Sequence, residues 1–167
     1  NFPNPQFSRH LSNDVEPEVV EALRNAVVES YPQTSHRYYK LKAKWMGLKK
    51  LEIWDRNAPL PTNQEKLINW DEAKEIVVGA FTDFDPRMKK LIQPFFENGW
   101  IDAAVKPGKA PGAFAHPTVT NVHPYILLNY LGKPRDVMTL AHELGHGIHQ
   151  SLASVQGEML SDTPLTI

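Results

Sequence analysis

Cysteine is absent from all 167 residues, which excludes a disulfide framework and any thiolate-held metal. A metal ion here would need His and carboxylate ligands, and a reducing compartment suits such a chain. Long apolar runs are missing too. None approaches the roughly 18–20 residues that span a bilayer, and Asn1-Phe2-Pro3-Asn4-Pro5 lacks the basic and apolar parts of a signal peptide. Nor does one sign of charge dominate: 18 basic and 19 acidic residues leave a net charge of -1, with no electrostatic reason to expect nucleic acid or an anionic membrane as partner. The expectation is a soluble, cytoplasmic protein. Neither repeats nor low-complexity tracts occur. With 41% hydrophobic and 22% charged side chains the chain has the composition of one ordinary core, so 1–167 is read as a single piece. It starts without Met and stops within the apolar run Thr163-Pro164-Leu165-Thr166-Ile167, as expected of an interior part of something larger.

What is present begins with helical periodicity over 1–97. Val19, Val20, Leu23, Ala26 and Val27 recur at helical spacing behind Pro17, predicting a helix over 16–30. The Pro-rich residues before that helix read as an irregular start; after Pro32, Thr34 or Ser35 caps a second helix with the stripe Tyr38, Leu41, Trp45 and Leu48. Its lysines (40, 42, 44, 49 and 50) read as a solvated face, not a phosphate site. Asn69 or Asp71 caps a third, with Ala73, Ile76, Val77, Ala80, Phe81 and Phe84 on one face. Asp85 and Pro86 open a fourth, with Met88, Leu91, Ile92 and Phe95 inward and Pro94 as a kink. From Asn98 to Leu131 the texture turns to β-type runs over 100–105, 113–119 and 125–130, split by Pro107-Gly108-Lys109-Ala110-Pro111-Gly112. The predicted fold is therefore mainly α with a small antiparallel β-sheet (α+β), one sheet edge lying beside a final helix over 132–153.

That final helix carries the chemistry. Pro134 suits its first turn and Asp136 its positive end. At about 100° per residue, Val137, Leu140, Leu144, Ile148 and Leu152 form one stripe, while His142 and His146 project from nearly the opposite side. Residues i and i+4 stand one turn apart, so both imidazoles reach a single ion from one face. Glu143 points about 100° round, beside such an ion without ligating it. Zinc lowers the pKa of coordinated water toward about 7, so a carboxylate there suffices as general base for attack on a peptide carbonyl, then passes the proton to the leaving amine. The pattern His142-Glu143-x-x-His146 thus predicts a zincin-type active-site helix with Glu143 catalytic and His142 and His146 as ligands. Gly145 and Gly147 within the helix cost about 1 kcal/mol each relative to Ala, so something packs or binds close by.

A third ligand is harder to find. His149 is seven residues from His142, about 10 Å along the axis and too far to share an ion; it reads as cleft wall or as an outer partner. The metzincin pattern needs Gly at 149 and His at 152, where His149 and Leu152 stand. A thermolysin-like spacing falls on Thr166. Glu158 and Asp162 remain as fallback ligands, though each reads first as a surface acid.

Taken together, His123-Pro124-Tyr125-Ile126-Leu127-Leu128-Asn129-Tyr130, the helix from Asp136 to Gln150 and Ser161-Asp162-Thr163-Pro164 resemble the oligoendopeptidase F group of zinc peptidases, relatives of thimet oligopeptidase. Upstream, Trp54-Asp55-Arg56-Asn57-Ala58-Pro59-Leu60 and Gly108-Lys109-Ala110-Pro111-Gly112-Ala113-Phe114 are similar to that group as well. The resemblance implies a mainly helical catalytic domain and a zinc-dependent metalloendopeptidase acting on short oligopeptides in an enclosed channel. It implies one zinc ion held by His142 and His146, Glu143 as base, and a third ligand, a Glu, one or two residues past Ile167. By the same resemblance 154–167 is the connection toward the third-ligand helix, the fragment alone is inactive, and the sheet edge from Ala113 to His116 holds the substrate backbone as an added strand. The alternative is a non-catalytic helical module that binds metal or peptide.

Overall fold

A computed structural model describes residues 1–61 and 66–164. Among them the helices are α1 (Phe7–Ser12), α2 (Pro17–Ser30), α3 (Ser35–Trp45), α4 (Trp70–Phe84), α5 (Met88–Glu97) and α6 (Pro134–Ala153), with strands β1 (Ile101–Asp102), β2 (Phe114–His116) and β3 (Tyr125–Leu127). Short 3-10 turns cover Ile53–Asp55 and Ser154–Gln156. The described residues fall into two compact units, one of residues 1–61 with Pro164 and one of residues 66–163. No described helix is long and apolar enough to cross a membrane.

The first unit holds α1, α2 and α3. Helix α1 lies in the stretch expected to be irregular; six residues carry too little periodicity to announce it. Helix α2 begins at Pro17, one residue inside the predicted 16–30, but Leu23 and Val27 on its apolar stripe are exposed. In α3 the buried side is Lys42 and Ala43, and the predicted stripe of Tyr38, Leu41, Trp45 and Leu48 is exposed. The reason is local. The segment after α3 folds back over the Lys42 side, where the buried Lys42 ammonium donates to Arg56 O at 2.7 Å.

The second unit contains the core. Asn69 caps α4 by accepting the Glu72 N–H at 2.9 Å, a contact that satisfies one of the helix's orphan donors. Ala73 and Val77 are buried with Phe81 packed against them, whereas Ile76, Ala80 and Phe84 of the predicted face point outward. After Asp85 accepts the Arg87 N–H at 2.8 Å, α5 runs through Pro94 and buries Ile92 and Phe95. These meet Ile126 and Leu128 from the β3 segment and Val137, Leu140, Leu144 and Ile148 from α6. Each such side chain contributes about 1.5–3 kcal/mol by leaving water.

The sheet has the order β1-β3-β2. It is mixed, not wholly antiparallel: β2 pairs antiparallel with β3, as expected, but β1 runs parallel to β3. A parallel neighbour requires a long crossover, and the chain between β1 and β3 provides it while folding β2 onto the far side. The ordered strands are only two or three residues each, shorter than their apolar runs, although single bonds such as Leu128 N to Asp102 O carry the β1–β3 pairing a little further.

Candidate active site

Helix α6 starts on Pro134, and the Asp136 carboxylate folds back over its N-terminus, accepting the Leu131 and Lys133 N–H groups at 2.9 and 3.0 Å. Two donors are satisfied by one negative group at the positive end of the helix. The helix then runs for 20 residues. Val137, Leu140, Leu144 and Ile148 are buried as the stripe requires, but Leu152 is 51% exposed because the helix has passed the edge of the core by its last turn. Gly147 is the point of closest approach: a Cβ there would lie 2.9 Å from Phe95 Cε1 and Cζ. Gly145 has nothing within 4 Å among the described residues, so tight packing accounts for one of the two glycines only.

On the opposite side His142 and His146 are both exposed, with ring centroids 4.7 Å apart and planes at 89°. Their Nε2 atoms lie 3.1 Å from each other. A tetrahedral ion bonded to nitrogen at about 2.0–2.1 Å would separate two such atoms by about 3.3 Å. The pair therefore fits two sites of a zinc ion's coordination sphere. No group of three His, Asp or Glu suited to a metal occurs among the described residues. Glu158 is engaged elsewhere: its Oε1 accepts from Thr120 Oγ1 at 2.6 Å and Thr120 N at 3.3 Å, bonds that hold its carboxyl below the usual carboxylate range. Asp162 accepts its neighbour's Thr163 N–H at 2.9 Å. Thr166 lies outside the described residues, and positions past Ile167 lie outside the sequence.

Glu143 is 7% exposed, the one acid buried among the described residues, and no hydrogen bond or ion pair to another described residue occupies its carboxylate. It lies with His142 at an open cleft of about 570 Å³ whose other wall includes Gly112, Ala113 and Asn129. Thr139 and Met138 continue the helix side of this cleft, and Arg135 and Asp136 end it. His149 is half-buried and is not among the cleft's described lining residues. His116 is exposed at the end of β2, where its Nδ1 accepts the Thr118 N–H at 3.0 Å. The structure thus brings Glu143, His142 and Ala113 together at one opening, with His146 beside His142.

The wall residues Gly112 and Ala113 lead directly into an edge strand, β2. Ile126 turns its N–H toward Trp100 O on the β1 side, so Tyr125 and Leu127 face β2 and pair with His116 and Phe114. By alternation the backbone of Ala115 points away from the sheet. Gln150 Nε2, from α6, donates to Ala115 O at 3.4 Å, while Gln150 Oε1 is buried without a partner among the described residues. Behind the wall, Asn129 Nδ2 donates to Ala110 O and Gly112 O at 2.9 and 3.1 Å. Neither Asn129 nor Gln150 nor the buried Lys109 stands out in the sequence. A Lys inside Pro107-Gly108-Lys109-Ala110-Pro111-Gly112 reads as a solvent-facing turn residue, and the resemblance of that run assigns it no role.

Comparison with known proteins agrees in sequence and in fold. The sequence model of Peptidase family M3 matches residues 6–167. Oligopeptidase PepF of Bacillus subtilis (strain 168) is 28% identical over 139 residues, which are 83% of this chain and 21% of that protein. An oligoendopeptidase F homolog of Lactococcus lactis subsp. lactis (strain IL1403) is 30% identical over 142 residues, 84% of this chain and 23% of its own length. The chain thus spans about a quarter of the length of the curated relatives it matches. Among solved structures, a protein from Bacillus anthracis str. Ames assigned as an oligoendopeptidase F superposes with a TM-score of 0.75 at 21% identity, covering 92% of this chain and 29% of that one. PZ peptidase A, solved with an inhibitor, gives a TM-score of 0.71 at 20% identity, covering 84% of this chain and 25% of that one. At these identities the structural likeness speaks to the fold.

Proposed function

Because this chain belongs to Peptidase family M3, we propose that it carries the metal-ligand pair and the catalytic base of a zinc-dependent metalloendopeptidase that cleaves internal bonds of short oligopeptides. The observation that carries the reading is the His142–His146 pair, its Nε2 atoms 3.1 Å apart with Glu143 one residue on and buried at the same cleft. In this reading His142 and His146 hold one zinc ion, and the remaining protein ligand comes from a Glu beyond Ile167. When bound, zinc supplies a Lewis acid for the peptide carbonyl and makes water acidic enough to lose a proton near pH 7.

The rest is done by the chain's own groups. Glu143 takes the proton from the attacking water at a carboxylate oxygen and returns it to the amide nitrogen as the C–N bond breaks. The side chain is buried along its stem while its carboxylate opens on the cleft with no described partner, so it is free to accept. The outward N–H of Ala115, whose carbonyl is taken by Gln150, and Ala113 on the cleft wall pair with the peptide as an added strand. His149 and His116 border that path. A cysteine-free sequence suits work in the cytoplasm.

The test is Glu143→Gln in the complete protein, assayed for zinc content and for cleavage of an internally quenched peptide. Zinc retained with cleavage lost by at least about 100-fold, the scale of a lost general base, is expected. Undiminished cleavage overturns the assignment of Glu143. A non-catalytic binding module would hold metal and peptide in both forms and cleave in neither.

A further inference from the structure

We propose that Lys109 is a positioning residue, the pin that sets the cleft wall from Gly112 to Ala115 at its working distance from α6. The proposal rests on the reading of β2 as the strand that holds substrate. Lys109 is distant in sequence from the His-Glu helix, and its side chain is only 6% exposed. Burying an ammonium is costly unless every proton finds an acceptor. Here Nζ donates to Leu128 O at 2.8 Å, Asp102 O at 2.9 Å and Ala104 O at 2.9 Å, with Asp102 Oδ1 at 3.1 Å as counter-charge. Three backbone carbonyls from two separate segments therefore replace its water.

Those carbonyls need it as much as it needs them. The β1–β3 parallel ladder runs regularly through Ile126 N to Trp100 O and Leu128 N to Asp102 O, and the next rung should take Tyr130 N to Ala104 O. Tyr130 N goes to Ala103 O, one residue short. The slip leaves Ala104 O and Leu128 O facing each other without an N–H between them, and the Lys109 ammonium bonds both. From that anchor the chain reaches the cleft in three residues, with Ala110 O and Gly112 O fastened to the Asn129 amide. Asn129 directly follows Leu128, so the anchor and the clamp share one stretch of backbone. A wall built this way takes its position from the sheet and not from the surface loop in which Lys109 sits.

The experiment compares Lys109→Met, Lys109→Gln and the exposed control Lys106→Met in the complete protein. Two peptides are used, one long enough to lie along β2 and one of three residues that is not, with backbone amide exchange at 110–115 followed by mass spectrometry. Lys109→Met is expected to raise KM for the long peptide by about tenfold, a loss equivalent to one hydrogen bond's worth of alignment, with kcat and zinc content nearly unchanged. The short peptide should be cleaved as before. Exchange should quicken at 110–115 alone. Lys109→Gln, which keeps two donors, should fall between, and Lys106→Met should match the unsubstituted protein. Equal losses on both peptides that track zinc content, or faster exchange throughout the unit, would reduce Lys109 to a stability residue and overturn the proposal. If Lys109→Met does not fold, Lys109→Gln decides by the same readouts. Failure of the unsubstituted protein to cleave either peptide would overturn the peptidase reading, and exchange at 110–115 would still judge the pin.

Discussion

Gly147 of α6 lies against the Phe95 ring so closely that a Cβ at residue 147 would stand 2.9 Å from Cε1 and Cζ, and 3.5 Å from Ile126 Cδ1. Phe95 cannot withdraw easily: it is fully buried and set edge-on to Trp100 with centroids 5.2 Å apart. The absent side chain lets α6 sit down on α5 and β3 one residue from His146. Gly147→Ala should therefore destabilise the protein by about 1–3 kcal/mol through overpacking, although Ala is the better helix former by about 1 kcal/mol. Gly145→Ala, with open space around it, should be neutral or stabilising by up to about 1 kcal/mol. Thermal unfolding of the two variants side by side checks the pair. Equal shifts would deny the close approach.

Asp136 closes the start of the same helix by accepting two backbone N–H groups, from Leu131 and Lys133. Asp136→Ala should cost about 1 kcal/mol, within the 0.5–2 kcal/mol range of lost helix caps, and Asp136→Asn less, since one acceptor oxygen remains. Denaturant unfolding measures both. A cost for Asn equal to that for Ala would mean that negative charge at the helix end matters more than the bonds.

How much of this was open to sequence reading depends on where each residue's partners lie. The α6 stripe from Val137 to Ile148 was legible because its period repeats over about three turns and its partners are whatever apolar surface is nearest. The Asn69 cap was legible because its donor, Glu72 N, is three residues away. In α3 the periodicity pointed to Tyr38 and Trp45, yet the single bond from Lys42 to Arg56 O decides which side is covered. The parallel placement of β1 beside β3 rests on a crossover whose folding no local pattern encodes. Lys109 was the least legible of all, since its acceptors come from 102–104 and from 128. Helix α6, by contrast, holds its candidate residues within five consecutive positions, 142–146, and the structure buries its apolar stripe from Val137 to Ile148 while leaving His142 and His146 exposed on the other side.

The imidazole pair gives a direct prediction for metal. If His142 and His146 hold zinc as proposed, His142→Ala and His146→Ala should each lower zinc affinity by more than the roughly 10–100-fold that loss of an outer partner costs, because each then deletes a coordinating nitrogen. His149→Ala should stay within that range, since its ring lies about 10 Å along the helix from His142. Zinc retained after dialysis against a graded chelator ranks the three. A ranking with His149→Ala weakest would place the ion elsewhere on the helix.

Acid should loosen the pin behind the cleft before it reaches the core. The hydrogen bond from Lys109 is the largest influence on Asp102 and, with the positive charges of Lys106 and Lys109, holds its carboxyl below the usual carboxylate range against a smaller opposing effect of burial. A carboxyl depressed in the folded state adds stability that is complete above its unfolded value of about 3.9 and is lost as pH falls through the folded value. Asp102→Asn removes the titrating group while keeping the shape. The gap in melting temperature between the unsubstituted protein and Asp102→Asn should therefore be constant near neutrality and shrink below about pH 4. Lys109→Gln removes the dominant donor cation, so in that background the same gap should be smaller at every pH and should close at a higher pH. A gap that widens as pH falls would reverse the sign and show that the ammonium finds its compensation in the three carbonyls alone.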